Sequence, residues 1–103
     1  MRVALAEIWE RRREDIVGRV AVLDEVIAAL GSGTLTPALR EAGASTAHQL
    51  TGTAGTFGFH RASDLARLLE HALADDAQLD PSCSASMGET VLALRRELDR
   101  PAP

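Results

Sequence analysis

The chain has 103 residues, 46% of them hydrophobic, with one tryptophan, two phenylalanines and a single cysteine. This length fits one domain and leaves no room for a second core of useful size. The basic residues are all arginine, and 11 of them against 15 acidic residues give a formal net charge of −4. That balance argues against nucleic acid, which needs a broad positive face, as a partner.

The apolar residues are mainly Ala, Leu, Val and Ile, which are the usual material of helix packing. We therefore expect an all-α fold. The lone Cys83 cannot form an internal disulfide, and the amino terminus lacks the apolar run of a signal peptide or a membrane span. The sequence thus predicts a cytoplasmic protein with no membrane partner.

The first predicted helix runs from Val3 to Leu30, because its apolar residues recur at spacings of mostly three, four or seven. Gly18 or the polar run Glu10–Asp15 could divide it into a short leading helix and a main one, and the pattern leaves the place of that break open. The mixed charges of the run are typical of a solvated face. We expect Trp9 to fill one end of the core.

The second predicted helix begins at Pro37, behind the capping residue Thr36. Gly31-Ser32-Gly33 ends the helix before it. We expect the second helix to end near Gly58, in a left-handed residue that makes the next helix an antiparallel neighbour.

The third predicted helix contains the repeat from Ala62 to Leu73 and is closed by the polar segment 74–76. A fourth opens at Asp80-Pro81 and ends before Pro101. The expected architecture is an antiparallel four-helix bundle, with an extra short N-terminal helix in front if the first helix breaks.

The stretch from Ser45 to Glu70 sets one histidine opposite the apolar side of the second helix. At about 100° per residue one face collects Ala47, Leu50, Ala54 and Phe57. His48 falls on the other face with Thr51, Gly52 and Gly55, so we expect His48 to point at solvent. An interior glycine costs about 0.5–1 kcal/mol relative to alanine, and clearance for a partner's surface beside the imidazole explains Gly52.

The motif block 45–70 resembles the pattern of the histidine phosphotransfer (HPt) domain family, which is H-x-L-K-G, then G-A, then L-x-x-L-A-x-x-L-E. The matching residues are His48-Gln49-Leu50-Thr51-Gly52, Gly58, Leu65, Ala66, Leu69 and Glu70. The chain departs from the pattern at Thr51, where the family usually has lysine, and at Phe59, where it usually has alanine. The resemblance implies one HPt-like helical bundle over 1–103 that carries a phosphorylatable histidine on an exposed helix face.

By that resemblance His48 is the phosphoacceptor of a two-component phosphorelay. It would exchange a phosphoryl group with the aspartate of a response-regulator receiver domain or a hybrid histidine kinase. A neutral imidazole suits this task because its reference pKa of about 6.5 leaves a nucleophilic nitrogen near pH 7. The receiver would supply the Mg²⁺, so we expect a monomeric phosphocarrier with no cofactor, metal or kinase domain of its own.

The resemblance and the helical wheel together give the remaining site residues. Thr51 and Gln49 are expected to neighbour the phosphoryl group. The partner-docking face is expected to comprise Ala44, Gly52 and Gly55.

The departure at Thr51 removes a positive charge next to the histidine. A hydroxyl offers one hydrogen bond but no charge, so we expect transfer to survive with a less stabilised phosphohistidine. Folding could bring charge from Arg40 or Arg61.

The other titratable and glycine-rich features carry no chemistry. His60 and His71 are expected on the surface, and the three histidines and the cysteine lack a close metal-ligand spacing. The glycines of GTAGTFG have neither G-K-[ST] nor a preceding strand, which excludes a phosphate-binding loop.

Two other functions remain open. An HPt-like module could bind a receiver or act as an adaptor without being phosphorylated, and Thr51 keeps that alternative open. A helical dimerisation or adaptor domain that uses its first helix is the other.

Overall fold

The computed structural model describes residues 2–74 and 78–103, with side chains from residue 4 onward. In that part of the chain it has four α-helices and one short 3-10 helix, and no strand. The elements are α1 at Arg2–Ser32, α2 at Pro37–Thr56, α3 at His60–Ala72, a 3-10 turn at Pro81–Cys83 and α4 at Ser84–Leu98. The predicted all-α four-helix bundle is confirmed. Asp75 and Asp76, in the predicted closing segment of the third helix, lie outside the described residues.

Helix α1 runs unbroken over Arg2–Ser32, so the possible break, and with it the possible separate short N-terminal helix, does not occur. Gly18 lies inside the helix on its exposed side, where an added Cβ would meet no atom within 4 Å. A glycine there costs only about 0.5–1 kcal/mol. Ile16 and Val20 on either side of it are fully buried, and burial of such a side chain contributes about 1.5–3 kcal/mol. Packing therefore keeps the helix intact.

The helix ends follow the predicted capping signals. The Thr36 hydroxyl accepts a hydrogen bond from the Leu39 amide at 3.1 Å, and Pro37 is the first residue of α2. Gly33 has φ +72° just after α1, and Gly58 has φ +86° in the α2–α3 turn. A positive φ favours glycine at both positions, so the predicted left-handed turn at Gly58 is confirmed.

An aromatic cluster fills one end of the core. Trp9 of α1 is 0% exposed, and its ring centroid lies 5.3 Å from that of Phe57 and 4.7 Å from that of Phe59. The predicted core position of Trp9 is confirmed. Phe59, which stands where the HPt pattern usually has alanine, belongs to this cluster and is 6% exposed.

Helices α1 and α2 also approach closely at the other end of their contact, at Val26 and Gly43. A Cβ built on Gly43 would lie 2.7 Å from Val26 Cγ2, closer than two carbon atoms can pack. Val26 comes late in α1 and Gly43 early in α2, whereas Trp9 comes early in α1 and Phe57 follows the end of α2. The two helices are therefore antiparallel, and the glycine lets their backbones approach.

Helix α4 closes the bundle against α1 and α3. The Arg13 guanidinium of α1 lies 2.6 Å from the carboxylate of Asp99, just past the end of α4, and Glu97 of α4 forms an ion pair with Arg61 of α3 at 3.4 Å. Helix α4 begins three residues later than predicted, because residues 81–83 form the 3-10 turn that Asp80 caps. No helix in the described part of the chain is both long and apolar enough to cross a membrane.

Candidate functional site

His48 lies near the middle of α2 and points away from the core. Its side chain is 75% exposed, while Ala47 and Leu50 beside it are buried. The exposure predicted for His48 is therefore confirmed. Because the buried neighbours fix the rotation of α2 about its own axis, the imidazole stays on the outer face.

A carboxylate from the next helix holds the imidazole. His48 Nδ1 lies 2.8 Å from Glu70 Oε2 of α3, and the Glu70 side chain is 29% exposed. A carboxylate oxygen only accepts hydrogen bonds, so we assign the ring proton of the neutral imidazole to Nδ1, which donates it. That tautomer leaves the lone pair on Nε2, the nitrogen that can act as a nucleophile.

The antiparallel packing of α2 and α3 brings Glu70 to this position. Ser63, early in α3, donates its hydroxyl proton to the Thr51 carbonyl at 2.8 Å. From that contact α3 continues past His48, and its buried Leu69 turns the next residue, Glu70, to the edge of the helix interface. The sequence analysis quoted Glu70 as part of a pattern and gave it no role in the site. An acidic residue directly after a buried leucine, on an antiparallel neighbour, was the signal available.

The histidine opens onto a groove of about 620 Å³ between α1 and α2. Helix α1 lines the groove with four side chains, Leu5, Ile8, Arg12 and Arg19. Leu5 and Ile8 are 38% and 39% exposed, although both are large and apolar. The groove is therefore partly apolar, with Leu5 and Ile8 near the start of α1, far from the histidine, and the two arginines nearer to it.

Two of the predicted site residues lie in this groove with His48. They are Gln49 and Gly52, both exposed. A Cβ added to Gly52 would meet no atom within 4 Å, so packing inside the bundle does not require a glycine there. The open space above Gly52 is consistent with clearance for a partner.

The other three predicted site residues lie outside the groove and are half-buried. The Thr51 hydroxyl donates to the Ala47 carbonyl at 2.9 Å, which uses its single proton within the helix. A Cβ on Gly55 would lie 3.6 Å from Ser63 Oγ, and Ala44 packs against the core. The wheel placed Thr51 and Gly55 on the exposed face, but α3 covers that side of α2.

Folding does not bring positive charge to His48 from Arg40 or Arg61, because both guanidinium groups bind other parts of the bundle. The Arg40 guanidinium donates to the carbonyl oxygens of Leu73 and Ala74 near the end of α3. Arg61 pairs with Glu97 of α4 at 3.4 Å. The arginines that share the groove with the histidine come from α1 instead.

The remaining histidines and the cysteine form no site. His60 and His71 are exposed, as predicted, and Cys83 is half-buried with a free thiol. Within residues 2–74 and 78–103 no three His, Cys, Asp or Glu residues form a group that could hold a metal ion.

The fold and the site together define a helical module that presents one carboxylate-held histidine at its surface. The family profile of the Hpt domain matches residues 7–100. The chain is also 30% identical to Protein RcaC of Microchaete diplosiphon over 95 residues, which is 92% of this chain and 15% of that protein. No solved structure matches the chain significantly.

The chain belongs to the Hpt domain family. Hpt domains are phosphocarriers rather than kinases, and their partners are receiver domains and histidine kinases. The chain is therefore a member of a family whose modules act in two-component signalling.

The contact to Glu70 is expected to fix the tautomer of His48. Long-range ¹H–¹⁵N correlation spectra of the wild type should show the neutral ring protonated on Nδ1. Glu70→Gln keeps a carbonyl oxygen that accepts the same hydrogen bond, so it should retain this tautomer, whereas Glu70→Ala should lose it. A wild-type ring protonated on Nε2 would contradict the assignment.

Proposed function

We propose that the chain carries a phosphoryl group on Nε2 of His48 and exchanges it with the aspartate of a receiver domain. The observation that carries this proposal is the Nδ1 contact to Glu70, which leaves the Nε2 lone pair free on an exposed side chain. The open space at Gly52 supports it, since a receiver must bring its aspartate close to the ring.

In the transfer step this chain supplies the imidazole as the nucleophile. The Nε2 lone pair attacks the phosphorus of the aspartyl phosphate. The N–P bond forms while the P–O bond to the aspartate breaks, and the aspartate leaves as a carboxylate. The ring keeps its Nδ1 proton and becomes a cation, which the Glu70 carboxylate stabilises at 2.8 Å. Return of the group to a receiver follows the same path in reverse.

The remaining charge stabilisation is assigned to the partner. A phosphoryl group in transfer spreads negative charge over its three equatorial oxygens, and Mg²⁺ held by the receiver would neutralise it. This division suits a site that is open to solvent, since a partner must cover His48 before water is excluded. The partly apolar groove with Leu5 and Ile8 supplies a surface to bury against that partner.

A second candidate function is a receiver-binding module that takes no phosphate. Its support is Thr51, which carries no charge and whose hydroxyl bonds within α2. The two functions share a docking surface and differ in whether His48 is phosphorylated.

A phosphotransfer assay on His48→Gln separates them. Receiver domains encoded in the same genome are charged with acetyl phosphate and Mg²⁺, incubated with the chain, and read by intact mass. We expect an acid-labile gain of one phosphoryl group on the wild type and none on His48→Gln, because glutamine lacks a nucleophilic nitrogen. His71→Gln, at another exposed histidine, is the matched control and should gain the group as the wild type does.

Binding of a charged receiver without any gain in mass would contradict phosphotransfer and favour the receiver-binding module. Phosphorylation that persists in His48→Gln would place the acceptor elsewhere.

Gly52 can be tested against Gly18, because a Cβ added at either helical glycine meets no atom within 4 Å. Alanine at each position should raise the free energy of unfolding by about 0.5–1 kcal/mol, as measured by urea denaturation. Glutamate at position 52 should abolish transfer through steric obstruction and charge repulsion, while Gly18→Glu should transfer normally. Normal transfer by Gly52→Glu would show that the glycine provides no clearance.

A further inference from the structure

Arg19 lies in the groove that His48 opens onto, and the transfer step described above gives it no role. It belongs to α1, on the same face as Leu5, Ile8 and Arg12. The arginines with fixed partners elsewhere, Arg40 and Arg61, do not line this groove.

The register of α1 on α2 places Arg19 nearly level with His48. Val26 and Gly43 are in contact, so positions along both helices can be measured from this pair. Arg19 precedes Val26 by seven residues and His48 follows Gly43 by five, which is about 10.5 Å and about 7.5 Å along the antiparallel axes at 1.5 Å per residue. The two residues therefore differ by about 3 Å along the bundle. Arg12, seven residues nearer the start of α1, lies about 13.5 Å beyond the level of His48.

The present partner of Arg19 is easily exchanged. The guanidinium lies 3.2 Å from the Asp15 carboxylate one turn earlier, and the two side chains are 38% and 70% exposed. An exposed ion pair of this kind contributes little to stability. A phosphoryl group carries about 1.5–2 negative charges against one for a carboxylate, and its oxygens match the planar guanidinium fork.

We propose that Arg19 leaves Asp15 and binds the phosphoryl oxygens when His48 is phosphorylated. Arg19 thereby supplies, from α1, the positive charge that Thr51 does not supply from α2. This inference rests on the proposed function, since the phosphoryl group must first be on His48.

The test is the equilibrium of the phosphoryl group between the chain and the receiver that phosphorylates the wild type. Arg19→Gln should shift this equilibrium toward the receiver by about three- to tenfold, because it removes a charge-assisted contact made only by the phosphorylated chain. Arg11→Gln removes the same charge at an exposed position outside the groove and should leave the equilibrium unchanged. Arg19→Lys keeps the positive charge but lacks the planar fork, so its shift should be smaller than that of Arg19→Gln.

Asp15→Asn gives a second readout that a structural role of Arg19 would not move. Removing the competing carboxylate should shift the equilibrium toward the chain, and this shift should shrink in the Arg19→Gln background. Circular dichroism of each variant checks that the helices are retained.

The outcomes separate this inference from the proposed function. Equal equilibria for Arg19→Gln and Arg11→Gln, or a loss in Arg19→Lys as large as in Arg19→Gln, would overturn the role of Arg19 and leave phosphotransfer standing. A wild type that takes no phosphoryl group from any receiver would overturn both.

Discussion

The close approach of α1 to α2 is the constraint on which the site depends. Gly43 has no Cβ, so Val26 can pack against its backbone, and the buried residues that follow it in α2 include the small Ala47 and Ala54. This approach fixes the register of α1, while the Ser63 hydroxyl ties α3 to α2 on the other side. Both neighbours then present polar side chains beside the exposed His48 without covering it.

The two sides of the histidine differ in charge. Helix α3 contributes the carboxylate of Glu70, which holds the Nδ1 proton and would stabilise the ring cation of a phosphohistidine. Helix α1 contributes Arg19 nearly level with the histidine, and its positive charge would suit the phosphoryl oxygens. Under the proposed function, each charge of a phosphorylated imidazole would have a complementary group on a different helix.

Local sequence signals predicted most of the fold. The Thr36 cap, the left-handed Gly58 and the buried Trp9 each follow from the preferences of single residues or from helical periodicity, and the structure confirms all three. The sequence left open a break in α1 at Gly18 or the polar run, and none occurs, since buried residues such as Ile16 and Val20 hold the helix on both sides of the glycine.

The contacts between helices could not be predicted in the same way. Packing of α3 on α2 places Glu70 beside His48. Arg40 and Arg61 bind other groups, and the groove receives Arg19 from α1 instead. Each of these placements depends on how far one helix is shifted along another. Periodicity within one helix predicts which face is buried but carries no information on that shift. For the same reason Thr51, which α3 partly covers, was assigned to the exposed face.

The most direct test of the site is to identify the ring nitrogen of His48 that carries the phosphoryl group. NMR spectra of the phosphorylated chain, labelled with ¹⁵N in histidine, would show which ring nitrogen of His48 is coupled to phosphorus. The contact to Glu70 predicts that phosphorus is bound to Nε2 and that Nδ1 keeps its proton. Phosphorus on Nδ1 would contradict it, because that nitrogen cannot hold the phosphoryl group and donate to Glu70 at once.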